Sequence, residues 1–267
     1  MKRLILLAAA VVLSGCAVSQ QQEVQMGQQY SAQIAQQLPL VSDPEVVRYI
    51  NVLGDSIAHV TKRSDLEWHF YVVDSREVNA FAVPGGFVYV NRGLIERANR
   101  MDELAGVLGH EIGHVVKRHT VKQMQQMQKA NIGVTIGCIL TSICNSGLGQ
   151  TAINVAGGAL FAKFSRSDEK EADDVGFDNV VRAGISPEGM VSMFQKLLAE
   201  RTTSPSTVDA WFASHPTEED RISDIQSKVN KLPPAQLASL TRDTPNFHAF
   251  KARIMALPPS PPPRQIQ

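Results

Sequence analysis

The sequence predicts an α+β fold, mostly helical, with one small antiparallel β-sheet. Three observations carry this. Apolar residues recur at three- and four-residue spacing over several long segments, the pattern of helices with one buried face. Between two of those segments lie short runs rich in β-branched and aromatic residues, interrupted by the turn signal Pro84-Gly85-Gly86. Apolar residues make up 43% of the 267 residues, enough for one large core or two small ones.

Lysine plus arginine and aspartate plus glutamate number 26 each, a formal charge of zero. A nucleic-acid binder would carry a basic excess or stripe, so no nucleic-acid partner is expected. Three cysteines are too few for a disulfide-built miniprotein or a cysteine-rich zinc module.

Residues 1–15 read as a targeting segment. Lys2 and Arg3 supply the positive start, residues 4–13 are unbroken apolar, and Ser14 and Gly15 form a small-residue exit. The run is short of the roughly 20 apolar residues that a membrane span needs. Leu13-Ser14-Gly15-Cys16 resembles the bacterial lipobox, whose cysteine is lipidated and becomes the mature first residue. The alternative is a plain signal peptide with a chance cysteine. Lipidation at Cys16 implies a membrane anchor facing the periplasm. Ala17, where an aspartate would retain the protein at the inner membrane, favours the inner leaflet of the outer membrane. Residues 16–40 follow as a tether, or as a polar glutamine-rich helix with Val24, Ile34 and Leu38 on one side.

The main domain spans residues 41–232. Asp43-Pro44-Glu45 opens a helix with an acidic cap, a first-turn proline and an acid at the positive end of the dipole. Val46, Ile50, Leu53, Ile57 and Val60 continue it. Residues 66–73, 79–83 and 87–90 are the three strand-like runs. Residues 101–119 are helical again, with Asp102 and Glu103 at the start and Lys117 and Arg118 at the end. Gly106, Gly109 and Gly113 cost that helix about 1 kcal/mol each, which implies close approach of another backbone. Residues 131–164 are apolar and rich in small residues; split by Asn145-Ser146-Gly147, they read as packed or membrane-facing helices. Cys138 and Cys144 in this stretch either pair in an oxidising compartment or stay as buried thiols. Residues 168–182 form another helix ended by Gly184, and Ser186-Pro187-Glu188 opens the next. Residues 233–267 are an extension whose proline run, from Pro258 to Pro263, reads as an extended, disordered tail.

His110-Glu111-Ile112-Gly113-His114 fits a two-histidine zinc motif. Positions four apart share a helix face, so both imidazoles reach one metal. Glu111 lies about 100° round the helix from His110 and can face the attacking water without ligating. The bland alternative is a helix with two surface histidines and a salt-bridging glutamate. Two histidines leave zinc one protein ligand short. Glu169 and Asp173, four apart on a later helix, offer a carboxylate ligand and an acceptor for a ligand histidine's other nitrogen. Otherwise they are an acidic helix start. His119 turns off the metal face, and His59, His69 and His248 stand alone.

With these motifs the sequence resembles the gluzincin metallopeptidases related to the CAAX prenyl protease, and among them the periplasmic bacterial lipoprotein branch. The resemblance covers about residues 43–221 and includes Ser165, Arg166, Glu169, Ala172 and Asp173, which match the family's Ser-Arg-x-x-Glu-x-x-Ala-Asp. It implies a zincin-like domain with one zinc ion per chain on His110, His114 and Glu169, not Glu171, and with Asp173 supporting a ligand histidine. Glu111 would be general base. His215, in His215-Pro216 followed by Arg221, would either stabilise the oxyanion or occupy the zinc's open position and hold the enzyme latent. A bland capping role for His215-Pro216 is the alternative. Asn79, Ala80, Phe81 and Ala82 match the edge strand to which a peptide substrate adds, or are an ordinary core strand. The implied activity is endopeptidase cleavage of unfolded or misassembled envelope proteins. The alternatives are a chaperone or outer-membrane assembly factor that keeps the zinc site, and an integral membrane peptidase with residues 131–164 inserted.

Overall fold

The computed structural model describes residues 18–129, 163–216 and 219–261. The targeting segment, Cys16, Cys138, Cys144, nearly all of the apolar stretch 131–164 and the end of the proline-rich tail lie outside the described residues. No helix of the described residues is long and apolar enough to cross a membrane.

Helix α1 (Gln20–Gln37) starts at a capping box in which Ser19 and Gln22 satisfy each other's backbone N–H groups. The tether expectation therefore gives way to a helix over this stretch. Its buried residues are Glu23, Gly27, Tyr30 and Ile34. Asp43 caps α2 (Pro44–Ala58) by accepting from the N–H groups of Glu45 and Val46. Three strands follow, β1 (His69–Val73), β2 (Ala80–Val83) and β3 (Phe87–Asn91).

The sheet is mixed, not antiparallel throughout. Its order is β1-β3-β2, with β1 parallel to β3 and β2 antiparallel to it. The tight turn after β2 dictates the antiparallel pair; Gly85 and Gly86 adopt φ of 84° and 99°, conformations that favour glycine. Nothing local dictates the other pair. The chain between Val73 and Phe87 is long enough to cross over, so β3 enters between β1 and β2.

Both faces of the sheet are covered, with side chains alternating between two cores. Phe70, Val72, Ala80, Ala82, Val88 and Val90 join the main core, which α2 and α4 help to build. Phe81, Val83, Phe87 and Tyr89 join a second cluster with Tyr30 and Ile34 of α1.

After the short α3 (Arg92–Arg97), α4 (Met101–Val116) runs through the middle of the domain. Fifteen of its residues are buried, so neighbours surround it on all sides. It stops earlier than its sequence pattern suggests. Arg118 takes a left-handed φ of 58°, and His119 opens a separate helix, α5 (His119–Lys129). Helix α6 (Arg166–Arg182), capped by Ser165 and Asp168, packs along α4. Then come α7 (Glu188–Thr203), α8 (Pro205–Ser214), α9 (Glu219–Lys231), α10 (Pro234–Ser239) and α11 (Pro245–Ala256). The start of the proline-rich tail is tied down: Arg92 donates to the carbonyls of Leu257 and Pro258, and Ser260 donates to Asp74.

Candidate metal centre

The α4–α6 contact sets the site. A Cβ on Gly113 would lie 2.5 Å from the carbonyl oxygen of Ala172, and one on Gly176 would lie 2.9 Å from the Gly109 backbone. Only hydrogen at these positions lets the two backbones meet, as the glycine spacing in α4 suggested. The close approach brings Glu169 and Asp173 of α6 against His110 and His114 of α4. His215 joins them from the carboxyl end of α8, where its ring stacks on Trp211 at a centroid distance of 4.6 Å.

One donor atom each from His110, His114, Glu169 and His215 lies within 4.8 Å of the other three, and all four residues are buried. Nε2 of His114 is 3.0 Å from Nε2 of His110 and 3.3 Å from Oε1 of Glu169. Nδ1 of His215 is 3.3 Å from Nε2 of His110 and 3.1 Å from Oε1 of Glu169. Tetrahedral donors at zinc bond lengths of about 2.0–2.1 Å stand about 3.3 Å apart, so these residues fit that ion. Nitrogen and carboxylate oxygen are the donor types zinc takes.

Each α4 histidine is held from behind. Nδ1 of His110 donates to Oδ1 of Asp173 at 2.8 Å. Asp173 in turn receives Nε and Nη2 of Arg221 at 2.7 and 2.8 Å. Arg221 also bonds Glu169 through Nη1. Nδ1 of His114 lies 2.9 Å from Nδ1 of His119, and the His114 ring stacks on Phe164 at 4.0 Å. Such supports leave Nε2 of both histidines directed at the donor cluster.

Electrostatics follow from burial and neighbours. Burial pushes the His114 imidazole well below its ordinary value, which keeps it in the neutral, ligating form. Burial alone would raise the Glu169 carboxyl, but the charge of His215 and hydrogen bonds from His114 and His215 outweigh it and hold the group well below the carboxylate range. Burial raises Glu111, opposed by His215 and His110. A carboxylate so raised is a stronger base than an exposed one. Oε1 of Glu111 makes no hydrogen bond among the described residues. It faces Nε2 of His215 at 3.4 Å.

The structure thus gathers His110, Glu111, His114, Glu169, Asp173 and His215 in one place. Glu171 lies apart, 43% exposed at its side chain and paired with Lys117. Asn79, Ala80, Phe81 and Ala82 are buried at and beside β2, an edge strand that packs on α4. Two residues escape the sequence reading. The sequence motif includes Arg221 but implies no task for it, and in the fold it bridges Glu169 to Asp173. A continuous helix would turn His119 away from the site; the left-handed corner at Arg118 returns it to His114. No periodicity signals such a corner at an arginine.

The sequence profile of peptidase family M48 matches residues 44–229. The chain is 32% identical to the beta-barrel assembly-enhancing protease of Yersinia pestis over 253 residues, covering 91% of this chain and 50% of that relative. It is 34% identical to the metalloprotease YcaL of Escherichia coli (strain K12) over 166 residues, 60% of this chain and 62% of the relative. With the mitochondrial metalloendopeptidase OMA1 of Schizosaccharomyces pombe it shares 28% identity over 208 residues, 76% of this chain and 59% of the relative. The chain spans about half the length of the assembly-enhancing proteases it matches.

Proposed function

We propose, from the premise that the chain belongs to peptidase family M48, that it is a zinc-dependent endopeptidase acting on extended or misfolded proteins of the bacterial envelope. The observation that carries this is the meeting of four buried donors, His110, His114, Glu169 and His215, beside a buried carboxylate, Glu111, with an unbonded oxygen.

His110, His114 and Glu169 would hold the zinc ion. When bound, the ion supplies polarisation of the scissile carbonyl and a lowered pKa for water. Glu111 takes the proton of the attacking water and passes it to the leaving amine. Asp173 and Arg221 keep His110 and Glu169 in place. A substrate segment adds to the edge of β2 along Asn79, Ala80, Phe81 and Ala82, held by backbone hydrogen bonds that read little sequence. Such recognition suits unfolded chains.

The relatives named for beta-barrel assembly support an envelope location and substrates among misassembled outer-membrane proteins. With Cys16 lipidated, the enzyme would face the periplasm from the inner leaflet of the outer membrane. The same names favour contact with the outer-membrane assembly machinery. A purely chaperone-like role gives Glu111 no task.

The test uses the whole mature chain. Glu111→Gln should retain zinc and lose casein hydrolysis by about 10²–10⁴-fold, the usual weight of a general base. A chelator should abolish the parent's activity. A Gln variant as fast as the parent rules the mechanism out.

A further inference from the structure

Glu23 is fully buried although it belongs to the glutamine-rich first helix. Its carboxylate receives Nη1 and Nη2 of Arg63 at 3.2 and 3.3 Å and pairs with Nε of Arg118 at 2.8 Å. The backbone N–H of Gly85, in the β2–β3 turn, donates to it at 3.4 Å. Burying a carboxylate is unfavourable unless opposite charge and donors compensate it; here Arg63 donates two hydrogen bonds and Arg118 adds an ion pair. Arg118 also donates from Nη2 to the carbonyl of Val18 at 2.5 Å, two residues beyond Cys16.

Arg118 is the one non-glycine residue with positive φ among the described residues. A side-chain-bearing residue rarely adopts that conformation, so its surroundings must hold it there. The corner has a consequence at the metal centre. In an unbroken helix His119 would lie about 140° round from His114. With the corner, Nδ1 of His119 meets Nδ1 of His114 at 2.9 Å. Nε2 of His119 then faces Oε2 of Glu171 and Oδ1 of Asp168, each at 3.5 Å. Those carboxylates take the Nε2–H of His119. Its Nδ1 lone pair accepts the Nδ1–H of His114, and the Nε2 lone pair of His114 is left for a metal.

We propose that Glu23, Arg118 and His119 are positioning residues for His114, so that seating the first helix against the Arg118 corner is part of building the metal centre. His119 fixes the tautomer and aim of the His114 ring. Arg118 sets the backbone that delivers His119. Glu23 holds Arg118, and Arg118 also ties the chain at Val18 to the end of α4. The inference rests on the zinc reading of His110, His114 and Glu169.

The test measures zinc affinity of the whole mature chain by competition with a chromophoric chelator, together with the visible spectrum of the cobalt-substituted protein. Loss of a residue that orients a metal ligand typically weakens binding about 10–100-fold, and that is expected for His119→Ala. His119→Asn, whose amide oxygen takes the place of Nδ1 and accepts the same hydrogen bond, should recover part of the loss. Arg118→Gly tolerates the left-handed corner but removes the guanidinium, and Glu23→Gln removes its partner's charge; each should weaken zinc severalfold and alter the cobalt spectrum. If Glu23→Gln does not fold, Arg118→Gly alone decides that arm. A His119→Ala chain that binds zinc within twofold of the parent, even with a lowered apo melting temperature, overturns the positioning role. Parent-like affinity in Arg118→Gly overturns the link to the first helix. A parent that holds no zinc removes the zinc reading and this inference with it, whereas a zinc-loaded parent with unaffected variants removes the inference alone.

Discussion

Nε2 of His215 stands 3.4 Å from Oε1 of Glu111, while Nδ1 of the same ring lies 3.1 Å from Oε1 of Glu169. One imidazole therefore reaches both the general-base candidate and the ligand cluster. Zinc sites with four protein donors are closed, whereas catalytic ones keep a place for water or substrate. With His215 among the donors the arrangement is the closed one. His215→Ala is accordingly expected to raise casein hydrolysis severalfold at saturating zinc. A fall of about 10²–10³-fold would instead assign His215 to oxyanion stabilisation.

Depth favours Glu169 over Glu171 as the proposed third ligand. Glu169 is fully buried between His114, His215 and Arg221, whereas Glu171 is partly exposed on the far side of the helix. Glu169→Ala should empty the site at zinc concentrations that saturate the parent. Glu171→Ala should leave occupancy unchanged and lower affinity by about threefold or less, because Asp168 remains beside His119. Metal analysis after gel filtration distinguishes the two, and the reverse result moves the ligand to Glu171.

Gly113 is where the two ligand-bearing helices touch. A methyl group there meets the backbone oxygen of Ala172 at 2.5 Å, and neither helix can move without carrying ligands with it. Gly113→Ala should cost about 1–3 kcal/mol in stability, the range for overpacking, and weaken zinc as well. Thermal melts with and without zinc read both. Unchanged zinc affinity would mean that the helices yield without disturbing the site.

Far from the donor cluster, Glu103 secures the start of α4. It accepts from Nζ of Lys196 at 2.7 Å, from Ser192 at 3.0 Å and from the N–H of Asn99 at 2.6 Å. Burial would raise this carboxyl, but Lys196 and the N–H of Asn99 outweigh it and hold it below its ordinary value. The folded state thus favours the ionised form. Its contribution is present above the unfolded-state pKa and is lost as pH falls through the lower folded value. Glu103→Gln should destabilise the protein by about 2 kcal/mol at pH 7, with the difference shrinking as the solution becomes more acid than pH 4.5. Urea melts across that range test the sign; a penalty constant down to strong acid would contradict it.

Much of the chemistry is legible in one dimension because helices repeat locally. The four-residue step from His110 to His114, the glutamate between them, the Ser165 cap and the Pro84-Gly85-Gly86 turn each act within a few residues, where spacing and residue type decide geometry. Packing decided what lies beyond that reach. Placing β3 between β1 and β2 required a crossover no short motif encodes. Arg221 bridges Glu169 and Asp173 from another helix, and a buried Glu23 holds a left-handed arginine that turns His119 back onto His114. The arginine bridge and the Glu23–Arg118 corner are charges and a strained backbone made tolerable by partners distant in sequence, and their energy exists only after the helices have met.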